Sequence, residues 1–209
     1  SAIDTNSSLR WLISMTDKPS PCQSNSSLCA RARTASGSAA GPAQKLNLRF
    51  IQHQLLKNGK EFLAASSSND VFRFELATGK VLQKYTHSGT AYRLAVLPDE
   101  KSFIGTDGKN TAVLWETATG KKLRTFSGHT KDVYTAIIVN GGKTLITGSE
   151  DKSIKQWNIA TGECLKTITD KPAFEDVFTL ATSPNKKRFA MVCDGGYAGV
   201  FDSATLEEI

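Results

Sequence analysis

Short apolar stretches alternate with polar turns along most of the chain. The clearest series begins with Val133–Val139, an apolar run that fits a buried strand, and continues after a Gly-Gly turn with Thr144–Ser149. Residues 153–159 then alternate with the period of a strand, and a fourth strand is predicted at 163–169. No helical pattern of about 10–15 residues interrupts the series, so a fold of strands alternating with helices is excluded.

This four-strand pattern is repeated. In four segments a lysine lies 14 residues before an aromatic residue, and the aromatics are 41, 42 and 44 residues apart. The pairs are Lys60 and Phe74, Lys101 and Trp115, Lys143 and Trp157, and Lys187 and Phe201. An Ala-Thr-Gly turn follows each of the first three aromatics, and Ser-Ala-Thr follows the last. The repeat predicts an all-β fold of about four four-stranded antiparallel blades, at 46–85, 86–126, 127–168 and 169–209.

The third copy resembles a blade of the WD-repeat β-propeller family along its whole length. It has a Gly-His pair ending at His129, an aspartate at Asp151 and, six residues later, Trp157 followed by Asn158 where the family has Trp-Asp. The resemblance extends over residues 46–209. It implies a propeller whose blades are stabilised by buried polar networks.

The resemblance implies a structural tetrad of His129, Thr147 (or Ser149), Asp151 and Trp157. An aspartate in a tight turn can accept a hydrogen bond from an imidazole, which can accept one from a hydroxyl that in turn accepts the indole N–H. The other copies retain less of this set. His87 precedes Trp115 by the same 28 residues, but a lysine stands at the aspartate position. Phe74 and Phe201 cannot donate, so their blades are expected to rely on apolar packing.

A histidine, an aspartate and a hydroxyl residue also invite comparison with a hydrolase triad. Thr147 is predicted to lie within a strand, however, and the chain has no Gly-x-Ser-x-Gly elbow, so we expect a structural network and no catalytic residue. The three histidines fall at different places and the chain has no paired metal-ligand motif, so neither a metal nor a cofactor is predicted. Cys164 and Cys193 are expected to be buried free thiols.

The resemblance further implies that partners bind where the loops before the first strand and between the second and third strands of each blade meet. On this chain the candidate partner-binding face comprises Lys109, Lys131, Glu150, Lys152, Phe174, Asp176 and Tyr197. Phe174 lies on the longest of these loops. It is either an exposed interface anchor or a side chain that folds back on the blade.

Composition separates residues 1–45 from the rest. They hold ten serines and three of the six prolines, without a sustained strand or helix period, and are predicted to form a flexible, mostly irregular N-terminal arm. The chain has a net charge of +6, but residues 46–209 carry 21 basic and 18 acidic side chains, which argues against a basic nucleic-acid-binding face. No apolar run approaches the roughly 18 residues of a membrane span.

These observations favour a non-enzymatic scaffold or adaptor that binds other proteins inside the cell, in the cytoplasm or the nucleus. The alternative is a regulatory or substrate-recognition propeller of a larger enzyme, such as a ubiquitin-ligase receptor or a signalling ATPase or kinase. The resemblance implies a ring of about seven blades. We therefore expect an incomplete ring that further chain or another subunit completes.

Overall fold

A computed structural model of the chain describes residues 49–169 and 175–209. The described residues form 15 strands in four antiparallel sheets, in which each strand pairs with the next along the chain. The strands are β1 Phe50–Leu55, β2 Glu61–Ser66, β3 Asp70–Glu75, β4 Val81–Thr86, β5 Ala91–Val96, β6 Ser102–Asp107, β7 Thr111–Glu116, β8 Lys122–Ser127, β9 Val133–Val139, β10 Thr144–Ser149, β11 Ile154–Asn158, β12 Cys164–Ile168, β13 Val177–Thr182, β14 Arg188–Cys193 and β15 Ala198–Asp202. The predicted all-β fold of antiparallel blades is confirmed. The N-terminal arm and Phe174 lie outside the described residues.

The turns follow from residues that tolerate a left-handed backbone. Between β9 and β10, Asn140, Gly141 and Gly142 have φ of 50°, 63° and 93°. Such values cost little for glycine or asparagine, so the chain reverses here without strain. The reversal brings Thr144 opposite Val139 and sets the register of the third blade.

Each of the first three blades has a bulge beside its repeated aromatic residue. The register between the third and fourth strands shifts next to Phe74, Trp115 and Trp157. A bulge increases the local twist and re-aims the neighbouring side chain. The aromatic spacing along the sequence therefore corresponds to one backbone irregularity that is repeated from blade to blade.

The cores lie between blades, because the sheets pack face to face. Leu63 and Val71 of the first blade pack with Leu94 and Phe103 of the second. The second and third blades share a core that contains Leu114, and the third and fourth share one that contains Val177, Leu180 and Phe189. The strands β6 and β10 are buried at every residue, since a neighbouring sheet covers each of their faces.

The fourth blade has three strands in the described chain, and a single bridge between Phe201 and Glu208 lies where the other blades have a fourth strand. Its residues alternate between buried and exposed, because only the face toward the third blade is covered. Val192 and Val200 are each 43% exposed on the other face. The four blades thus form an open arc, as the repeat count predicted.

One sequence expectation about the cysteines is wrong. Cys193 is buried in β14, where it packs in the core between the third and fourth blades. Cys164 is exposed, because it begins β12, the outermost strand of the third blade, all but the last of whose residues face solvent.

Candidate partner-binding face

One hydrogen-bonded chain of side chains ties together the loops of the third blade. The Trp157 indole N–H donates to Thr147 Oγ1 at 2.9 Å, and Thr147 Oγ1 lies 2.7 Å from His129 Nε2. On the other side of the ring, His129 Nδ1 lies 2.8 Å from Asp151 Oδ2. A carboxylate only accepts, so Nδ1 carries a proton and donates to Asp151, and in the neutral ring Nε2 accepts from the threonine hydroxyl. The structure thus brings the four residues of the implied tetrad together, with Thr147 rather than Ser149 as the hydroxyl.

The turn around Asp151 is built to hold a charged carboxylate. The backbone N–H groups of Thr130 and Ser153 donate to it at 2.9 and 3.0 Å, and the Ser153 hydroxyl donates as well. Burial raises the pKa of Asp151, but the hydrogen bonds from His129, Ser153 and Thr130 lower it more and keep the pKa well below its usual value. The ionised aspartate thereby joins the loop before β9 to the turn after β10.

The burial of this network argues against nucleophilic chemistry. Thr147 is fully buried, and its oxygen is shared between the Trp157 indole and the His129 ring. A nucleophilic hydroxyl must be reachable by substrate. The arrangement therefore stabilises loops and holds no attacking group.

The second blade contains a shorter version of the network. Trp115 Nε1–H donates directly to His87 Nε2 at 3.1 Å, with no hydroxyl between them. Gly105 stands where the third blade has Thr147, and a Cβ there would lie only 2.4 Å from His87 Cε1. The imidazole therefore occupies the space that a threonine side chain fills in the third blade.

The carboxylate of this shorter network is Asp107, which sequence alignment missed. By its distance from Trp115, Lys109 is the position equivalent to Asp151. The side chain that faces the imidazole, however, is that of Asp107, two residues earlier at the end of β6. His87 Nδ1 and Asp107 Oδ2 are 4.0 Å apart, and both are buried without a hydrogen-bond partner in this structure. Burial lowers the pKa of His87 to about 4, although the charge of Asp107 opposes the shift. His87 is therefore neutral near pH 7.

Aromatic packing replaces the indole in the outer two blades. Phe74 stacks on Phe62 with ring centroids 4.9 Å apart, and Phe201 stacks on Phe189 at 5.4 Å. Both Phe74 and Phe201 are buried. These contacts supply apolar area without leaving a donor unpaired.

The network positions the loops that carry the candidate face. Lys131 Nζ lies 3.1 Å from Glu150 Oε1, across the gap between the loop before β9 and the turn after β10. The Tyr134 hydroxyl donates to the other oxygen of Glu150 at 3.1 Å. The hydrogen bond from Lys131, followed by that from Tyr134, lowers the pKa of Glu150. Lys152 pairs with Glu175, so the third and fourth blades are also linked at this end.

The remaining predicted face residues lie at the same end but are not all joined. Lys109 is exposed in the turn between β6 and β7, and Asp176 is partly exposed directly before β13. The Tyr197 hydroxyl donates to Glu208, on the segment that bridges to β15. Tyr197 therefore contributes to the packing of the fourth blade.

A row of aromatic residues crosses the same end of the arc and was missed at the level of sequence. Tyr92 and Tyr134 meet edge to face with ring centroids 5.2 Å apart, and Tyr134 stacks on Phe178 at 5.3 Å. Each is the second residue of the innermost strand of its blade. The three residues are 42 and 44 residues apart, which matches the length of the repeat. The repeat spacing could therefore have predicted that they lie at equivalent positions in neighbouring blades.

The described parts of the chain hold no group of three or more His, Cys, Asp or Glu side chains placed to bind a metal ion. The same residues include no helix long and apolar enough to cross a membrane.

Meandering antiparallel blades around an arc, with an imidazole-carboxylate-indole network inside one of them, define a WD-repeat type of β-propeller. A family model for the WD domain, G-beta repeat, matches residues 120–158, which include His129, Thr147, Asp151 and Trp157. The resemblance of the chain to WD-repeat proteins is thereby confirmed.

Solved structures share the fold. The chain superposes on U3-55K with a TM-score of 0.71 at 19% identity, covering 80% of this chain and 53% of that one. It superposes equally on the WD40 repeats of RRP9, with a TM-score of 0.71 at 19% identity and coverages of 80% and 52%. At this identity the likeness shows the fold alone.

Sequence relatives match a shorter part. A ribosome biogenesis protein BOP1 homolog from Culex quinquefasciatus is 42% identical over 62 residues, and its counterpart from Drosophila melanogaster is 43% identical over 63. Each match covers 30% of this chain but only 7% and 8% of the relative. The chain thus spans about half of the solved neighbours and less than a tenth of these relatives.

Proposed function

We propose that the chain is a non-enzymatic scaffold whose partners are proteins that bind the candidate face. The observation that carries this proposal is that a buried polar network holds together the loops of the third blade, which carry charged side chains. Lys131 and Glu150 pair on loops that the ionised Asp151 ties together. A preformed face loses little conformational entropy when a partner binds.

The sequence relatives suggest the assembly that such a scaffold would serve. The matched proteins from Culex and Drosophila are named for ribosome biogenesis. We extend this role to the chain as a proposal, with protein partners in a multi-subunit complex. The nuclear alternative for its intracellular location is then preferred to the cytoplasmic one.

The test is affinity capture with quantitative mass spectrometry on the tagged chain. A variant combining Phe174→Ala and Lys152→Glu should lose partners. The control is Lys121→Glu, which makes the same charge change on the exposed turn at the opposite end of the second blade. Retention of every partner by the double variant would refute the choice of face, and the absence of ribosome biogenesis proteins among the partners would refute the assembly.

We further propose that another sheet covers the exposed face of the fourth blade, contributed by further chain or by another subunit. In the third blade, the positions equivalent to Ala190 and Ala198 are Ile146 and Ile154, which are buried against the fourth blade. Val192 and Val200 extend this apolar face. Exposed apolar patches of this kind commonly mark interaction surfaces.

Light scattering tests this second proposal. The chain alone should self-associate, and Val200→Glu should reduce the association, whereas Leu165→Glu on the exposed outer strand β12 should not. A monodisperse monomer whose size is the same for all three proteins would contradict the proposal.

A further inference from the structure

The aromatic row across the arc is accessible and chemically distinctive. Phe178 is 49% exposed at one end of the row, next to the stacked ring of Tyr134. Tyr134 and Tyr92 are partly exposed. An exposed aromatic face beside a packed aromatic neighbour presents a negative π-surface that attracts a cation.

Carboxylates flank this row at equivalent positions of two successive blades. Asp132 and Asp176 directly precede β9 and β13, and Glu150 and Asp194 directly follow β10 and β14. Asp132 Oδ2 accepts the Tyr92 hydroxyl at 3.2 Å, and in the fourth blade the Asp194 backbone N–H donates to the Asp176 carbonyl at 2.9 Å. In both the third and the fourth blade, the aromatic residue therefore lies on a strand directly preceded by an acidic residue, and a second acidic residue directly follows the strand paired with it.

This end of the arc is locally acidic although the chain carries a net charge of +6. Burial raises the pKa of the Tyr134 hydroxyl to about 12, with added contributions from the hydrogen bond to Glu150 and from the charges of Glu150 and Asp176. Two lysines at this end of the third blade, Lys131 and Lys152, are already paired with glutamates, while Lys109 is exposed in the turn between β6 and β7 of the second blade. The negative charge of the carboxylates at this end is therefore incompletely balanced, and it would attract cationic groups of a binding partner.

We propose that this row binds a basic, arginine-containing protein segment, with one guanidinium stacked on Phe178 and paired with Asp176. The inference rests on the proposed scaffold function and specifies the chemistry of the partner. Arginine suits the site better than lysine, because its planar group stacks on a ring and meets a carboxylate with two donors at once. The same carboxylates repel phosphates, which makes nucleic acid the disfavoured ligand.

Fluorescence anisotropy on the 209-residue chain tests the proposal with defined probes. The first probe is a labelled 12-residue Gly/Ser peptide bearing four arginines, and matched peptides carry lysine or glutamine instead. We expect the arginine peptide to bind most tightly, the glutamine peptide not at all, and the affinity to fall as salt is added.

Variants locate the binding. Phe178→Leu keeps an apolar contact with Tyr134 but removes the π-face, and should weaken arginine-peptide binding by about threefold to fivefold. Asp176→Asn should weaken it to a similar degree. The controls are Leu165→Ala and Glu163→Gln, which change an exposed apolar residue and an exposed acidic residue at the outer edge of the third blade. Both should leave the affinity unchanged, and unaltered melting temperatures should show that every variant is folded.

Three results would overturn the proposal: no arginine-peptide binding up to millimolar concentration, equal binding by wild type and Phe178→Leu, or tighter binding of a single-stranded RNA 12-mer than of the arginine peptide. None of these outcomes bears on whether the Phe174 and Lys152 double variant loses its protein partners. A scaffold that captures proteins but not the arginine peptide would keep the proposed function and refute this partner chemistry.

Discussion

Acid should destabilise this protein through His87 well before its carboxylates are protonated. The ring is buried between the first and second blades, and its pKa is lowered from 6.5 to about 4 by that burial. The unfolded chain therefore takes up a proton near pH 6.5 that the folded protein resists until about pH 4. Stability is complete above pH 6.5 and decreases as the pH falls through this window.

The structure sets the size of the effect. Two pKa values of 6.5 and about 4 correspond to a loss of about 3 kcal/mol once the ring is protonated in both states, and of about 2 kcal/mol at pH 5. That loss is a large fraction of the stability of a typical domain. Asp107 limits it, because its carboxylate lies 4.0 Å from Nδ1 and stabilises the positive charge of the protonated ring.

Urea denaturation at pH 7.5 and pH 5 measures the change in the free energy of unfolding. His87→Gln retains an acceptor for the Trp115 indole, and its side chain cannot titrate. Between pH 7.5 and pH 5, its free energy of unfolding should therefore decrease by about 2 kcal/mol less than that of the wild type. His53→Gln is the matched control, because it makes the same substitution at a histidine that is exposed on β1. Identical pH slopes for wild type and His87→Gln would refute the reasoning, as would an NMR titration that places the pKa of His87 at or above 6.5.

Three further substitutions test the polar networks, each by its change in the free energy of unfolding. Gly105→Ala should destabilise the chain by about 1–3 kcal/mol, because the added methyl collides with the His87 ring, and a neutral result would mean that the ring moves freely. Thr147→Val should cost about 2 kcal/mol, since it buries the Trp157 indole N–H without its acceptor, whereas unchanged stability would show that the indole finds another partner. Asp151→Asn should cost about 2 kcal/mol at pH 7. The variant should also lose less stability than the wild type as the pH falls below about 4, because there the unfolded wild-type chain binds a proton at this carboxylate that the folded protein resists; equal acid sensitivity would contradict the assigned pKa direction.

Local chemistry made the blades of this protein predictable. In the third blade, the alternation of residues and the Gly-Gly turn placed β9 and β10 at their observed bounds, because strands and hairpin turns depend on neighbours a few residues apart. The roles proposed for His129, Asp151 and Trp157 came from one family pattern, in which spacing along the chain corresponds to a fixed place in the blade. The exposure of Cys164 was missed because burial depends on which strand forms the outer edge.

In the second blade, positions equivalent to those of the third blade do not predict which side chains contact one another. Replacing the hydroxyl of Thr147 by the hydrogen of Gly105 lets the imidazole move into the vacated space, so the indole reaches it directly and a different aspartate faces it. Whether a ring can shift depends on the atoms around it. Only packing in three dimensions determines those atoms.

The sequence by itself determined the period, the strands and the turns of the best-preserved blade, since each of these follows from local pattern and from spacing within one repeat. Its network residues were implied by the resemblance to the WD-repeat family. The tertiary structure alone decided which residues from different blades meet. Tyr134 and Phe178 are 44 residues apart and lie in different blades, yet their rings stack. The outer face of the fourth blade, which includes Val200, is exposed. These contacts depend on how twisted sheets pack against one another, and no local rule contains that information.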